Sequence, residues 1–194
     1  MHLTRSRPIH TVEHKKQAFA IWITGLPASG KSTIAGALSR QLAARGIDAA
    51  VLESDALRQV LTPQSRYDET ERDAFYRALV YIGVLLTIHG VPVIFDATAN
   101  RRAYRDAARI QIPGFIEVFV DCPLQVCVGR DPKGIYRKAK EDGTGSVPGL
   151  QVPYEPPERP DVVIFGDREE PETAAQKIIS ALMEKQFMAD ERGS

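Results

Sequence analysis

Gly25-Leu26-Pro27-Ala28-Ser29-Gly30-Lys31-Ser32 matches the phosphate-binding loop pattern G-x-x-x-x-G-K-[ST] at every specified position. It follows an apolar, β-rich run at 19–24, read as a buried strand, and precedes apolar residues at helical spacing that continue to about position 45. The octapeptide recurs by chance in unrelated chains, and its placement between strand and helix removes most of that ambiguity. Glycines at 25 and 30 allow a tight turn whose backbone N–H groups point inward, and the positive end of the helix adds to their pull on a polyphosphate. Lys31 is then expected to reach the β- and γ-phosphates, and the Ser32 hydroxyl to ligate magnesium. Gly25, Ser29, Gly30, Lys31, Ser32 and Thr33 are the loop residues expected around ATP.

Apolar strands alternate with helical segments along the rest of the chain. Strands are expected at 49–52, 91–95, 115–120 and 162–165. The longest helix is expected over 69–89, with Phe75, Leu79, Ile82 and Leu86 on one broad face, and a last one over 172–187 after Pro171. This order predicts an α/β, three-layer P-loop NTPase fold: a mostly parallel five-stranded sheet with helices on both faces. Residues 131–160 break the rhythm with charges, glycines and prolines, and are expected to form a mobile lid over the site. Domain organisation follows: a flexible tail at 1–17, one kinase-sized domain at 18–188 and a fraying tail at 189–194.

Within 194 residues, 25 basic and 25 acidic side chains cancel. That balance argues against a general nucleic-acid binder, so no long nucleic acid is expected as partner, while a local positive cleft for a small anionic substrate remains open. No apolar stretch reaches membrane-spanning length and the first residues do not resemble a secretory signal, so a cytoplasmic protein without membrane partners is expected. Cys122 and Cys127, the only cysteines, are expected to be ordinary packed thiols.

Phosphoryl transfer requires magnesium beside the phosphates, a group to orient or deprotonate the attacking hydroxyl, and positive charge around the transferring group. Asp55 follows the second strand and Asp96 ends the third. In a parallel sheet both belong at the edge where ligands collect. Asp55 is the candidate catalytic group beside Lys31, and Ser32, Asp55 and Asp96 are the candidate magnesium ligands. The alternative for either aspartate is an N-cap of the following helix. Arg101, Arg105 and Arg109 recur every four residues and could clamp an anion, although for Arg101 and Arg109 a solvated stripe is expected.

With the loop, the aspartate-arginine element and the charged insert in that order, the chain resembles the adenylylsulfate kinase family from about Lys16 onward. The most specific stretch runs from Cys127 through Arg130-Asp131-Pro132-Lys133-Gly134 to Lys140, close to the family's lid, and Pro153-Tyr154-Glu155-Pro156 is similar to its P-Y-E-x-P element. The resemblance implies transfer of the γ-phosphoryl group of ATP to the 3′-hydroxyl of adenylylsulfate. It places Asp55 near that hydroxyl and the magnesium, and Arg58, Arg72 and Arg102 against the acceptor. Lys133 is placed at the ATP phosphates and Arg130 near the adenine. Family members often pair as dimers, so a homodimer is open to this chain.

The departures fall on the acceptor side. Glu53-Ser54-Asp55-Ala56 stands where the family has D-G-D-N, and Phe75 where D-R-x-E-N has asparagine. Thr98-Ala99-Asn100-Arg101 replaces I-S-P-Y, Val147-Pro148-Gly149-Leu150-Gln151 replaces F-T-G-I-D, and Tyr67 takes the place of another aromatic. Loss of one stacking partner removes about 1–3 kcal/mol of nucleobase affinity, enough to alter substrate choice. Two alternatives therefore stand beside adenylylsulfate phosphorylation. One is the same transfer to another nucleotide or a sugar phosphate, since Asp96-Ala97-Thr98-Ala99-Asn100 resembles the D-A-T-N element of other P-loop kinases. The other is a nucleotide-binding module without catalysis.

Overall fold

A computed structural model describes residues 18–64, 68–142 and 146–188. The expected tails and Tyr67 lie outside these described residues. In chain order the elements are β1 (Ala20–Thr24), α1 (Lys31–Ala43), β2 (Ala50–Glu53), α2 (Ser54–Leu61), α3 (Glu69–Ile88) and β3 (Val93–Asp96). They continue with α4 (Arg102–Gln111), β4 (Phe115–Asp121), α5 (Leu124–Arg130), α6 (Ile135–Asp142), β5 (Val162–Phe165) and α7 (Pro171–Glu184). The strands form one five-stranded sheet in the order β2-β3-β1-β4-β5, parallel throughout. The strand order reverses around β1, so the loop that follows β1 opens at the switch point where open α/β sheets bind ligands.

Side chains alternate along each strand and divide the interior into two layers. Ile21, Ile23, Ile94, Ile116, Val118 and Ile164 face α1 and α7, which contribute Leu38, Leu42, Ile178 and Leu182. Ala20, Trp22, Val93, Phe95 and Phe115 face α3 and α4, which contribute Phe75, Tyr76, Leu79 and Tyr104. Trp22 stacks on Phe95 with centroids 4.5 Å apart and satisfies its indole N–H on the Ala97 carbonyl at 3.0 Å. A fully buried tryptophan with its polar atom paired is a large apolar contribution at no polar cost.

Strand ends run past the last apolar residue. β2 includes Glu53, β3 includes Asp96 and β4 includes Asp121, because register pairs the backbones of Glu53 with Asp96 and of Asp96 with Ile23 whatever their side chains. Three carboxylates therefore mark the carboxyl edge of the sheet. Apolar patterning alone stops one residue short of each.

The arginine row is buried at its centre and part-exposed at its two ends. Arg105 is 1 % exposed and donates to Glu117 at 2.6 Å, to the Glu155 carbonyl at 2.7 Å and to the Ala99 carbonyl. Arg109 bridges Glu117 and Asp161 at 3.1 Å each. Arg101 pairs with Glu69. Arg101 and Arg109 stay part-exposed, as the solvated reading expects, but each is paired: acidic partners from α3, β4 and the segment before β5 line up against the row. Arg105→Ala strands the buried Glu117 carboxylate beside a half-exposed Arg109, and is expected to cost about 3–5 kcal/mol of stability in a denaturant titration. A change within about 0.5 kcal/mol, the scale of an ordinary surface substitution, would contradict this role.

The charged stretch after α5 has a small core of its own. Tyr136 and Ala139 of α6 pack with Val147, Cys122 and Cys127, and the Tyr136 hydroxyl donates to the Pro27 carbonyl of the phosphate loop at 3.0 Å. Both cysteines are free and buried, as packed thiols should be. Burial, then the neighbouring Cys122 thiol, pushes the Cys127 pKa up to about 12, so the thiol stays protonated at neutral pH. Among the described residues no helix is long and apolar enough to cross a membrane.

Candidate active site

The loop between β1 and α1 takes its shape from three backbone positions. Gly30, the N-cap of α1, sits at φ 106, a conformation that side chains disfavour. A Cβ at Gly25 would stand 2.6 Å from the Val120 carbonyl oxygen, so only glycine fits there. Ala28 is held at φ 59, a left-handed conformation that non-glycine residues adopt at a cost of about 1 kcal/mol and that gathers at ligand sites. α1 has neither a side-chain N-cap nor an acidic residue in its first turn. Its first N–H groups and positive dipole end are therefore left for an anion.

Directly in front lies a cavity of about 550 Å³. Gly30, Lys31, Ser32 and Thr33 line one wall, Asp55 and Asp96 a second, and Arg130 and Lys133 the side formed after β4. Gly25 and Ser29 build the loop from behind rather than lining the cavity. The Ser29 hydroxyl is buried without a hydrogen-bond partner, a donor left over under the loop. Neither aspartate caps a helix. The N-cap of α2 is Glu53 and that of α4 is Arg101, so the capping alternative gives way to two carboxylates facing the phosphate loop.

Lys31 is buried and folds back on its own loop, donating to the Leu26 carbonyl at 2.8 Å. Burial pulls its pKa below the usual lysine value, with the Asp96 and Asp55 carboxylates acting in the opposite direction. An entering polyphosphate would add negative charge and favour the ammonium further. Lys133 reaches across the cavity to Asp55 at 2.6 Å and lies 3.8 Å from Glu53. Its hydrogen bond to Asp55 raises its pKa despite partial burial. Arg130 donates to the Gly166 carbonyl at 2.8 Å.

The donor set suits magnesium. One hydroxyl and two carboxylates supply hard oxygen atoms at the loop, and no group of three or more His, Cys, Asp or Glu side chains that could hold a metal ion occurs among the described residues. Mg²⁺ characteristically takes one or two protein carboxylates and completes its shell with phosphate and water. Ser32, Asp55 and Asp96 would hold it.

The three arginines expected around the acceptor lie outside this cavity. Arg58 is buried, pairs with Glu71 at 3.2 Å and stacks over Phe75 with its guanidinium carbon 3.9 Å from the ring centroid. Arg72 is buried and donates to Asn100 at 3.1 Å. Arg102 stands apart from both, donating to the Pro156 carbonyl at 3.3 Å and lying 3.5 Å from Glu158. Arg58 and Arg72 share a flank of α3; Arg102 faces a separate surface depression with Arg109 and Glu117.

Several residues in and around the site were assigned no role by their motifs. Glu53 lines the cavity, and its signal was a carboxylate standing at the first position of the D-G-D-N element. Thr24 and Tyr154 meet through their hydroxyls at 3.0 Å. Because Thr24 already donates to the Thr98 carbonyl at 2.6 Å, Tyr154 must be the donor. Burial pushes its pKa up to about 12, keeping that proton in place. Glu155 accepts from the Arg102 backbone N–H at 2.8 Å, compensating the start of α4. The Pro153-to-Pro156 element is thereby fastened to the sheet edge by its tyrosine and glutamate.

Comparison with known proteins agrees with this geometry. The family model described as adenylylsulphate kinase matches residues 17–165. An adenylyl-sulfate kinase of Synechococcus sp. (strain JA-3-3Ab) is 42 % identical over 148 residues, covering 76 % of this chain and 84 % of that protein. One from Rippkaea orientalis is 39 % identical over 175 residues, covering 90 % and 97 %. Among solved structures, the Mycobacterium tuberculosis APS kinase CysC in complex with AMPPNP and APS superposes with a TM-score of 0.80 at 34 % identity, covering 86 % of this chain and 98 % of that one.

Proposed function

The chain belongs to the adenylylsulphate kinase family, and from that premise we propose that it transfers the γ-phosphoryl group of ATP to the 3′-hydroxyl of adenylylsulfate. The observation that carries the reading is the single cavity in which the phosphate loop, Lys31, Asp55, Asp96 and Lys133 converge. Such a transfer asks the protein mainly to position the reactants and to stabilise spreading charge.

The α1 N-terminus and the loop amides bind the polyphosphate, and Lys31 exchanges the Leu26 carbonyl for phosphate oxygens. Ser32, Asp55 and Asp96 would hold magnesium beside the phosphates, where it would offset their charge. Asp55 orients or deprotonates the acceptor hydroxyl. Lys133 leaves Asp55 for the phosphates as the stretch 131–141 closes over the cavity, which excludes water and suppresses hydrolysis. Arg130 borders the nucleotide, while Arg58 and Arg72 hold the anionic acceptor.

The replacements Phe75, Asn100 and Val147 on the acceptor side favour a second reading, the same transfer to another nucleotide or a sugar phosphate. Labelled ATP with Mg²⁺, offered with adenylylsulfate and with a panel of nucleotides and sugar phosphates, separates the two. Phosphorylated adenylylsulfate is the expected product. Turnover of another acceptor with none of adenylylsulfate would overturn the proposal in favour of the second reading.

A further inference from the structure

Asn100 is a buried polar residue that the phosphate chemistry does not use. It lies between β3 and α4, 7 % exposed. Its side-chain oxygen accepts from Arg72 Nη1 at 3.1 Å, and its side-chain nitrogen donates to the Pro153 carbonyl at 3.2 Å. A guanidinium only donates and a peptide carbonyl only accepts, so one orientation of an amide satisfies both partners at once. The backbone carbonyl of Asn100 also accepts from the Glu155 N–H at 2.8 Å.

Arg72 continues the chain of bonds by donating Nη2 to the Ser146 carbonyl. The two ends of 146–153 are therefore gripped from the same point: Ser146 through Arg72, and Pro153 through Asn100. Between them the segment is a compact turn. Gly149 N–H bonds the Val152 carbonyl and Gln151 N–H the Val147 carbonyl, both at 2.9 Å. The Gln151 amide closes on Val147 N–H at 3.2 Å and on the Ala139 carbonyl at 3.1 Å. The turn is held by its internal bonds, by Gln151 on Ala139 and by the grips at its two ends together, so loss of a grip loosens the whole.

We propose that Asn100 is a positioning residue for the acceptor half of the site, fixing the turn 146–153 against Arg72 and so setting acceptor selectivity. The proposal rests on the reading above that the acceptor lies beside Arg58 and Arg72. Neither Asn100, Arg72 nor the turn lines the phosphate cavity. Loss of the grip should therefore be felt by one substrate and not the other.

Asn100→Ala is expected to raise KM for adenylylsulfate about 10- to 100-fold, the range for a lost hydrogen bond to a charged group. KM for ATP should stay within about threefold, since ATP contacts are untouched. Hydrogen exchange of the intact protein with a non-hydrolysable ATP analogue should show amides 149–152 exchanging at least about tenfold faster in the variant, the signature of a local opening. Equal rises in both KM values, or unchanged exchange at 149–152, would overturn the proposal. Faster exchange in the variant, with a wild-type protein inactive on adenylylsulfate, would support the grip and refute that acceptor. Should Asn100→Ala fail to fold, Asn100→Asp keeps the volume and the acceptor for Arg72 but sets a carboxylate oxygen against the Pro153 carbonyl, and the same readouts apply.

Discussion

Lys31→Ala is expected to lower kcat about 1000-fold or more, the scale seen when a preorganised donor to developing charge is removed. Its ammonium is the one loop cation that lines the cavity beside the amides of α1. Its removal leaves Asp96 and Asp55 facing the phosphates with less positive charge between them. The substitution deletes one hydrogen bond, to the Leu26 carbonyl, so most of the fold should remain. Steady-state turnover paired with a circular dichroism melt checks both parts. Normal turnover in a folded variant would sink the proposed site.

Asp55→Asn should reduce kcat by about 10²- to 10⁴-fold, the usual contribution of a positioned acid or base. Affinity for ATP should change little by comparison. The ion pair with Lys133 is half-exposed on both sides, and such pairs contribute at most about 1 kcal/mol to stability. The melting temperature should therefore barely move, and a fall in kcat can be read as lost chemistry. Parallel losses in kcat and in ATP binding, measured by calorimetry on the same sample, would instead make metal binding the main role of Asp55.

The two halves of the site differ in how far they could be read before folding. The ATP half is written in contiguous residues. Gly25 to Thr33 form the loop and the first turn of α1, and their roles follow from backbone geometry and charge over nine neighbouring positions. Asp55 and Asp96 were legible because one follows the second strand and the other ends the third, and the end of a strand in a parallel sheet lies at the ligand edge. The proposed acceptor half draws on distant segments. Arg72 and Asn100 are 28 residues apart, and Asn100 and Pro153 are 53 apart. No local pattern announces such a pairing.

Arg105 shows the same limit from the opposite side. Its spacing from Arg101 and Arg109 was correctly helical, yet spacing says only which residues share a face. What that face meets is decided by Glu117 on β4 and by the carbonyls of Ala99 and Glu155. The charged stretch after α5 likewise hid a small core, because Tyr136 and Ala139 complete it only with Cys122 and Cys127 in place.

By itself the sequence determined the phosphate loop, the alternation of strands and helices, and the two-faced burial of the sheet, since these arise from dihedral preferences and periodicity within a few residues. Tertiary structure alone decided which arginines are structural, that Glu53 joins Asp55 and Asp96 at the cavity and how Asn100 joins Arg72 to Pro153. The physical reason is that a buried charge or amide takes its meaning from its hydrogen-bond partners, and those partners exist only once the chain has closed.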